Sequence, residues 1–389
     1  MELAARVERI LDDVVSFRRF LHENAELSMQ EFSATARIVE ELKALPGMEV
    51  REFAPGCMGI LHGGKPGKTI ALRADMDALP IAEESGLPFA SKNPGVCHAC
   101  GHDMHASILL GCAKVLSGMV AELSGCIKFI FQPGEETLVG ARHLLAKGVM
   151  EAPKVDAILA VHTFPYLPAG SVGLCPGTSM ASVDAIDITV KGKGGHGGYP
   201  HSTVDPVYIA SQVVVALQSV ISRETSPVDA AVISIGQING GNARNIIPSE
   251  VTLNGTVRTL SAQVREKLPA QIQRVVDLTA QAHGGGSLVE YVGQTPPVSN
   301  DPAIFELVKS AAMQSIGAAN IQHISPVMGG EDFACYLDHA PGMLFRVGTA
   351  GEHENSHLPL HNAKVIFDEG ALPTGIKVLC SAALDFLRK

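Results

Sequence analysis

Apolar side chains recur every three or four residues at the start of the chain, and this spacing predicts an amphipathic helix over residues 3–21. A second helix is predicted over residues 32–45, where Pro46 and Gly47 end it. Short apolar runs then alternate with helical patterns, which predict strands over 69–74, 127–131 and 157–161 and helices over 106–120 and 140–147. Strands separated by helix-length segments favour an α/β fold, with a mostly parallel sheet covered by helices.

The middle of the chain has a different pattern. Apolar residues alternate over 186–190, and the segments that follow predict a helix, two strands, a helix and a strand, over 206–221, 231–238, 251–258, 261–282 and 287–292. The order β-α-β-β-α-β is that of a ferredoxin-like α+β sandwich. The α/β pattern then resumes with a helix, a strand and a helix, over 302–316, 343–347 and 369–387. We therefore expect residues 184–293 to form an inserted domain, and residues 1–183 and 294–389 to form the main domain.

Composition narrows the class of protein. Hydrophobic residues make up 46% and charged residues 18% of the 389 positions, which allows a large core and excludes extensive disorder. A formal net charge of −10 disfavours nucleic-acid binding. Prolines and glycines interrupt the longest charge-free stretch, residues 157–183, and the first residues lack an apolar signal segment. Eight cysteines without a regular framework fit a reducing compartment, so we expect a cytoplasmic protein with no membrane partner.

The densest group of reactive side chains lies in residues 97–105, where five of nine positions are Cys or His. Thiolate and imidazole are preferred ligands of zinc and its transition-metal neighbours. In an extended segment, Cys100 and His102 would point the same way and reach one metal site. Cys97 and Cys100 also form a CxxC pair, so a redox pair or half of a zinc ribbon is an alternative, although the sequence has no second CxxC.

A pair of acids, Glu135 and Glu136, follows the apolar strand predicted over 127–131. If the chain stays extended there, the two carboxylates point to opposite sides, so one can bind a metal while the other faces a reacting water. Metal-assisted hydrolysis uses this division, because the ion lowers the pKa of bound water to about 7 and a carboxylate accepts its proton. The alternative is two solvated acids at the start of a helix near Thr137, where the helix dipole favours them.

Single histidines complete the candidate set. His162 ends the predicted strand over 157–161, and His361 lies in a short segment rich in Leu and Pro. With Cys100, His102 and Glu136 they could supply a site for two ions. His196 is flanked by glycines, on a loop where backbone can approach a ligand. Three pattern matches are set aside because the segments around them lack the required structure: HExxH over 353–357, the P-loop-like end at 67–69 and GxGxxG over 192–197.

Together, these motifs make the chain resemble the aminoacylase/carboxypeptidase family of dinuclear metallohydrolases. More narrowly, the chain is similar to the branch of hippurate hydrolases and plant auxin-conjugate (indole-3-acetyl-amino-acid) amidohydrolases. The matching motifs occur in the family's order and span nearly the whole chain: LRADMDALPI (72–81), HACGHD (98–103), QPGEE (132–136), AVHTFP (160–165), GKGGHGGYPH (192–201), NIIPSE (245–250), TVRT (256–259), GGEDF (329–333) and LHN (360–362).

The resemblance implies roles for individual residues. It implies two divalent ions, Zn, Mn, Co or Ni, on five ligands: Cys100, His102, Glu136, His162 and His361. It implies Glu135 as general base. It also implies a catalytic role for Asp77, which matches the aspartate that lies two residues after a ligand histidine in other branches; Asp75 takes that histidine's place here. His196 would reach the partner subunit's site and polarise the scissile carbonyl. The substrate carboxylate would be held by Asn245, Arg258 and Gly330. Cys97 replaces an expected Met, and its oxidation onto Cys100 would remove a ligand.

The resemblance therefore implies a zinc-exopeptidase-like catalytic domain with an inserted ferredoxin-like dimerisation or lid domain. The expected activity is hydrolysis of the amide bond of an N-acyl amino acid, to a carboxylic acid and a free amino acid, in a homodimer or tetramer. The alternatives are a metallocarboxypeptidase or dipeptidase, an N-acetyl-diaminopimelate-type deacetylase, and a non-catalytic metal- or ligand-binding protein of the same fold.

Overall fold

The computed structural model describes residues 2–388, and most of its helices and strands lie where the apolar pattern predicts them. The α-helices are α1 (Leu3–Glu23), α2 (Phe32–Lys43), α3 (His102–Ser117), α4 (Gly140–Ala146), α5 (Pro206–Ser219), α6 (Ala262–Ala282), α7 (Pro302–Ile316) and α8 (Ala371–Leu387). The strands are β1 (Met48–Glu52), β2 (Cys57–His62), β3 (Lys65–Asp75), β4 (Ser124–Gln132), β5 (Ala157–Pro168), β6 (Val172–Leu174), β7 (Gly177–Met180), β8 (Val183–Lys191), β9 (Gly195–His196), β10 (Ala231–Asn239), β11 (Ile246–Ile247), β12 (Glu250–Thr259), β13 (Gly286–Thr295), β14 (Val298–Asn300), β15 (Ile321–His323) and β16 (Gly342–Ala350).

The first compact unit contains the residues up to Gly177, Ser299–Ser325 and the residues from Asp332 onward. Its sheet has eight strands in the order β1-β2-β4-β3-β5-β16-β6-β15. The central strands β4, β3, β5 and β16 run parallel, whereas β1 and β2 extend the sheet as an antiparallel pair. The predicted α/β class with a mostly parallel central sheet is therefore confirmed.

The central strands are buried on both faces, which explains their almost continuous apolar sequences. Because side chains alternate along a strand, Ile70, Leu72 and Ala74 of β3 share one face and join the main hydrophobic core with apolar residues of α1, α3 and α8. Arg73 and Asp75 lie on the other face and are also buried. Charged groups inside an apolar strand require partners there, and the candidate site supplies them.

The second compact unit contains Thr178–Val298 and Pro326–Glu331. Its four strands lie in the order β10-β12-β8-β13, and all three pairings are antiparallel. Helices α5 and α6 supply the other half of its core. Their N-termini are capped by Asp205 and Ser261, whose side chains accept backbone N–H bonds of the first turn. This is the strand order of a ferredoxin-like sandwich, as the sequence pattern predicted.

Several boundaries differ from the prediction. Helix α3 begins at His102 rather than at residue 106, because three of the first four residues, His102, Asp103 and His105, are polar and an apolar pattern does not detect them. Strand β5 continues to Pro168, so His162 lies within it rather than at its end. The polar edge strand β1, the buried strand β2 and the short strands β6, β7, β9, β11, β14 and β15 were not predicted. Within residues 2–388, none of the helices combines the length and apolar character that crossing a bilayer requires.

Gly140 tests the packing that fixes the chain after β4. A methyl group on Gly140 would lie 1.6 Å from the carbonyl oxygen of Pro133. We expect Gly140→Ala to lower the free energy of unfolding of the first unit by about 1–3 kcal/mol, because backbone must move. A methyl group on Gly286 meets open space, so Gly286→Ala should change stability by less than about 0.5 kcal/mol. Equal urea unfolding curves for the two variants would contradict this packing.

Candidate metal centre

The candidate site lies where the parallel strands end. Strands β4, β3 and β5 are neighbours, so their carboxyl ends meet at one edge of the sheet. Asp75 is the last residue of β3, and Glu135 and Glu136 follow β4 closely. Ligand sites in open α/β sheets form at this edge because successive loops converge there.

All five predicted metal ligands come together at this edge. Nε2 of His162 lies 3.7 Å from Sγ of Cys100. Oε1 of Glu136 lies 3.8 Å from Nε2 of His102 and 3.5 Å from Nε2 of His361. The ligand atoms form two groups, Cys100 with His102 and His162, and Cys100 with Glu136 and His361, each with all atoms within 4.8 Å. Cys100 belongs to both groups, so it is a candidate ligand in each.

The backbone brings Cys100 and His102 together in a way that the extended-segment prediction did not anticipate. Gly101 between them has φ +83°, and His102 is already the first residue of α3. A side chain at Gly101 would collide with Thr163, whose Oγ1 donates to the carbonyl oxygen of Cys100 over 2.7 Å. The prediction that the segment is extended is wrong. A left-handed glycine followed by a helix start brings both side chains to the site instead.

Glu135 and Glu136 lie on a turn, so the prediction that extended backbone separates them is also wrong. The backbone N–H of Leu138 donates to the carbonyl oxygen of Glu135 over 2.7 Å. The Oε2 atom of Glu135 lies 3.9 Å from His102 Nε2, almost as close as Glu136 Oε1. Glu135 is 6% exposed. The alternative of two solvated acids opening a helix does not hold, because helix α4 begins only at Gly140.

Two buried atoms at the centre of the site test whether it fits a metal. Within the described residues, His102 Nε2 and Glu136 Oε1 have no hydrogen-bond partner, although both are shielded from solvent. An unpaired buried polar atom costs about 1–3 kcal/mol, more if it is charged. A cation between a nitrogen and a carboxylate oxygen would satisfy both. The nitrogen, oxygen and sulfur donors around this point suit divalent transition metals.

The histidine ring orientations also fit metal binding. Nδ1 of His162 donates to the carbonyl oxygen of Thr163 over 2.8 Å, which leaves the Nε2 lone pair directed at Cys100. Nδ1 of His102 lies 3.0 Å from Oδ1 of Asp77, so its Nε2 likewise faces the site. Metal-binding histidines are usually oriented by such a bond from the other ring nitrogen.

Burial and neighbouring charges determine which ligand side chains carry a proton that a metal ion would displace. It raises the pKa of the Cys100 thiol to about 12 and lowers the pKa of His162, which keeps that ring neutral. Burial opposes charge on His102 too, but the Asp75 carboxylate outweighs it and raises the pKa of His102. Binding of cations would therefore release protons from Cys100 and His102.

Asp77 supports the site from behind. Its Oδ2 accepts hydrogen bonds from Ser28 Oγ at 2.6 Å and from the backbone N–H of Glu136 at 2.9 Å. Burial alone would raise the pKa of Asp77, but the hydrogen bond from His102 outweighs it and lowers the pKa. Asp77 thus stays ionised and holds both His102 and the Glu136 backbone.

Asp75 and His105 form a second supporting pair that the sequence did not reveal. Thr163 N–H donates to His105 Nε2 over 2.7 Å, so His105 Nδ1 carries the proton that it shares with Asp75 Oδ1 at 2.5 Å. Arg73 binds the other Asp75 oxygen at 2.7 Å and also Asp332 at 2.8 Å. Asp75 and His105 lie close enough to His102 to form a metal-binding group. Their atoms are committed to these bonds, so they orient the site. In the sequence, the charged Arg73 inside an apolar strand could have indicated that buried acidic partners lie here.

The predicted substrate residues all lie in the second unit. His196 is exposed, and its Nδ1 accepts the Gly198 N–H over 2.9 Å, which puts the ring proton on Nε2. Asn245 accepts the Gly197 N–H over 2.8 Å, so the two loops are adjacent. Arg258 lies against Gly330, where a methyl group would come within 3.2 Å of its guanidinium nitrogen. Their roles stay predictions. In the first unit, Cys97 and Cys100 are not joined by a disulfide.

Comparisons with known proteins give the family of the chain. The sequence model described as Peptidase family M20/M25/M40 matches residues 71–385. The chain belongs to this family. It is 42% identical to a probable hydrolase, sll0100, of Synechocystis over 99% of this chain and 98% of that protein. N-acetylcysteine deacetylase of Bacillus subtilis is 38% identical over 96% and 97% of the two chains, and thermostable carboxypeptidase 2 of Saccharolobus solfataricus is 39% identical over 98% of each.

Two solved structures share the fold at 34% identity. A putative aminohydrolase of methicillin-resistant Staphylococcus aureus superposes with a TM-score of 0.94 over 99% of both chains. A dinuclear metal binding peptidase from the M20 family of Bacillus subtilis superposes with a TM-score of 0.84 over 98% of this chain and 99% of the other. The predicted family and the assignment as a hydrolase are confirmed. The hippurate and auxin-conjugate branch stays a prediction.

Replacing the carboxylate of Asp77 tests the support of the site. We expect Asp77→Asn to weaken Zn²⁺ or Mn²⁺ binding about 10- to 100-fold, because the amide is a poorer acceptor for His102. Asp187→Asn is the control, since Asp187 pairs with Asn254 in the second unit. Isothermal titration of metal-free protein measures both affinities. Equal affinities in the two variants would contradict the role of Asp77.

Proposed function

We propose that the protein is an amidohydrolase that uses two divalent cations to hydrolyse N-acyl amino acids to a carboxylic acid and a free amino acid. The observation that carries the proposal is that His102 Nε2 and Glu136 Oε1 are buried without a hydrogen-bond partner in the described chain. Cys100, His162 and His361 lie around them. Family membership and the relative described as a dinuclear metal binding peptidase support two ions rather than one. Zn, Mn, Co and Ni all accept this mixture of donors.

Bound ions would supply an acidified water and electrostatic stabilisation of the tetrahedral oxyanion. Glu135 would take the proton of that water, because its carboxylate faces His102 at 3.9 Å and stays shielded from bulk solvent. The same carboxyl group would then deliver the proton to the leaving nitrogen. Glu136, on the same turn, would serve as a ligand, so the two neighbouring acids have different tasks.

Recognition of the substrate is proposed for the second unit. The planar guanidinium of Arg258, which lies against Gly330, suits a substrate carboxylate, and Asn245 is proposed to help hold the same group. The proton on Nε2 of His196 is suited to donate a hydrogen bond to the oxyanion. A substrate with a free carboxylate next to the amide that is cleaved is an N-acyl amino acid.

We further propose that two copies associate through the second unit and that His196 acts in the partner subunit's site. Helix α5 exposes Val207, Tyr208 and Val215, and strand β10 is an edge of its sheet. Exposed apolar side chains and an open sheet edge are typical of surfaces that pair with another chain.

The first experiment is a substrate panel with metal-reconstituted protein. Hippurate and N-acetyl, long-chain acyl and indole-acetyl amino acids represent the proposed class, whose acyl preference the panel would define. The carboxypeptidase among the relatives makes peptides the competing substrates, whereas the N-acetylcysteine deacetylase supports including acetyl amino acids in the proposed class. We expect higher kcat/KM on N-acyl amino acids than on dipeptides with a free amino group. Turnover of peptides alone would reject the proposal.

Glu135→Gln separates proton transfer from metal binding. The amide keeps the size of the side chain but cannot accept the proton, so kcat should fall by at least roughly 100-fold with both metals retained. Elemental analysis and steady-state kinetics measure the two effects. Glu290→Gln, an exposed position in the second unit, should leave both unchanged. Near wild-type turnover of Glu135→Gln would exclude it as general base.

Mixing two inactive variants tests the shared site. If His196 serves the partner's site, Glu135→Gln and His196→Ala chains should regain about a quarter of wild-type activity after subunit exchange, because half the dimers then carry one complete site. Activity is measured before and after exchange through mild denaturation. Sites that are complete within each chain would give no recovery.

A further inference from the structure

The segment between α1 and α2, residues 26–31, lies directly against the metal centre of the first unit. The backbone N–H of Ala78 donates to the carbonyl oxygen of Glu26 over 2.8 Å, and Leu27 forms a parallel bridge with Ala78. Ser28 donates to Asp77 over 2.6 Å. The segment thus covers the chain that follows β3 and contacts one supporting carboxylate of the site.

Glu31, at the end of this segment, is fully buried, and its side chain binds the turn that carries Glu135 and Glu136. Its Oε1 accepts the backbone N–H of Gly134 over 2.7 Å. Its Oε2 has no hydrogen-bond partner in the described chain. Gly134 has φ +65°, and a methyl group there would lie 2.7 Å from Sδ of Met29. Segment 26–31 therefore fits closely around the peptide that immediately precedes Glu135 and Glu136.

Hydrogen bonds within the turn hold the carbonyl group of Gly134 but not its N–H group, which Glu31 binds. The carbonyl oxygen of Gly134 accepts the N–H groups of Val139 and Gly140, at 3.3 and 3.1 Å, so the turn holds that side itself. The Gly134 N–H is instead held by the Glu31 side chain. A glycine adopts many backbone conformations, so rotation at Gly134 would displace both acids that follow it.

We propose that Glu31 is a positioning residue, whose carboxyl group fixes the Gly134 peptide and thereby holds Glu135 and Glu136 at the metal centre. The inference rests on the proposed function for the tasks of those two acids. Burial, followed by the nearby charge of Asp77, raises the pKa of Glu31 to about 7, so a neutral amide of the same shape is a conservative replacement.

Three variants test the inference. Glu31→Ala removes the acceptor, Glu31→Gln keeps a carbonyl acceptor, and Ile38→Val is a control that loosens the buried side of α2 without contacting the turn. For Glu31→Ala we expect kcat and Zn²⁺ affinity to fall about tenfold or more, with KM changed less than twofold. Glu31→Gln should stay within twofold of wild type in all three quantities, and Ile38→Val should change only the unfolding midpoint.

Hydrogen–deuterium exchange in the metal-free protein gives a readout that does not depend on activity. Exchange over residues 133–139 should be faster in Glu31→Ala than in wild type, Glu31→Gln or Ile38→Val. Unchanged exchange, or an equal loss of kcat in the Gln and Ala variants, would overturn the inference. Failure of the proposed function would look different, because wild-type protein would then bind no Zn²⁺ while Glu31→Ala still exchanged faster.

Discussion

The whole site depends on one electrostatic constraint: His102 Nε2 and Glu136 Oε1 are buried 3.8 Å apart, and neither has a hydrogen-bond partner in the described chain. Folding two polar atoms into such a place is unfavourable unless something else binds them. Two nearby donors, His162 and Cys100, also direct lone pairs or a displaceable proton into the same space. A pair of cations bound by these side chains would offset these costs together.

The remaining polar network holds the ligands in place. Asp77 orients His102, while Asp75 with Arg73 and His105 occupies the layer behind it. Glu31 fixes the turn that carries the two glutamates. Each of these groups is charged or polar and nearly fully buried, so its hydrogen-bond and charge partners must offset the cost of removing it from water. The parallel strands make this possible, because their ends bring residues distant in sequence to one edge.

Much of this could be predicted from the sequence, and the rest could not for physical reasons. Helix α7 begins and ends where Asp301, Pro302 and the apolar spacing place it. The ligand types are so concentrated in residues 97–105 that chemistry alone indicates a metal. The start of α3 was not predicted because three of its first four residues, His102, Asp103 and His105, are polar. The role of Glu31 was not predicted because it contacts a residue 103 positions away. Periodicity detects apolar faces, whereas long-range polar contacts leave no periodic signal.

The most direct test of the account is anomalous diffraction from crystals of the protein soaked in Zn²⁺ or Mn²⁺. The account predicts two peaks close together, with Cys100 shared between them and with His102, Glu136, His162 and His361 as the other protein ligands. Absence of peaks at this edge, or a single ion that leaves His102 Nε2 and Glu136 Oε1 unbound, would contradict it.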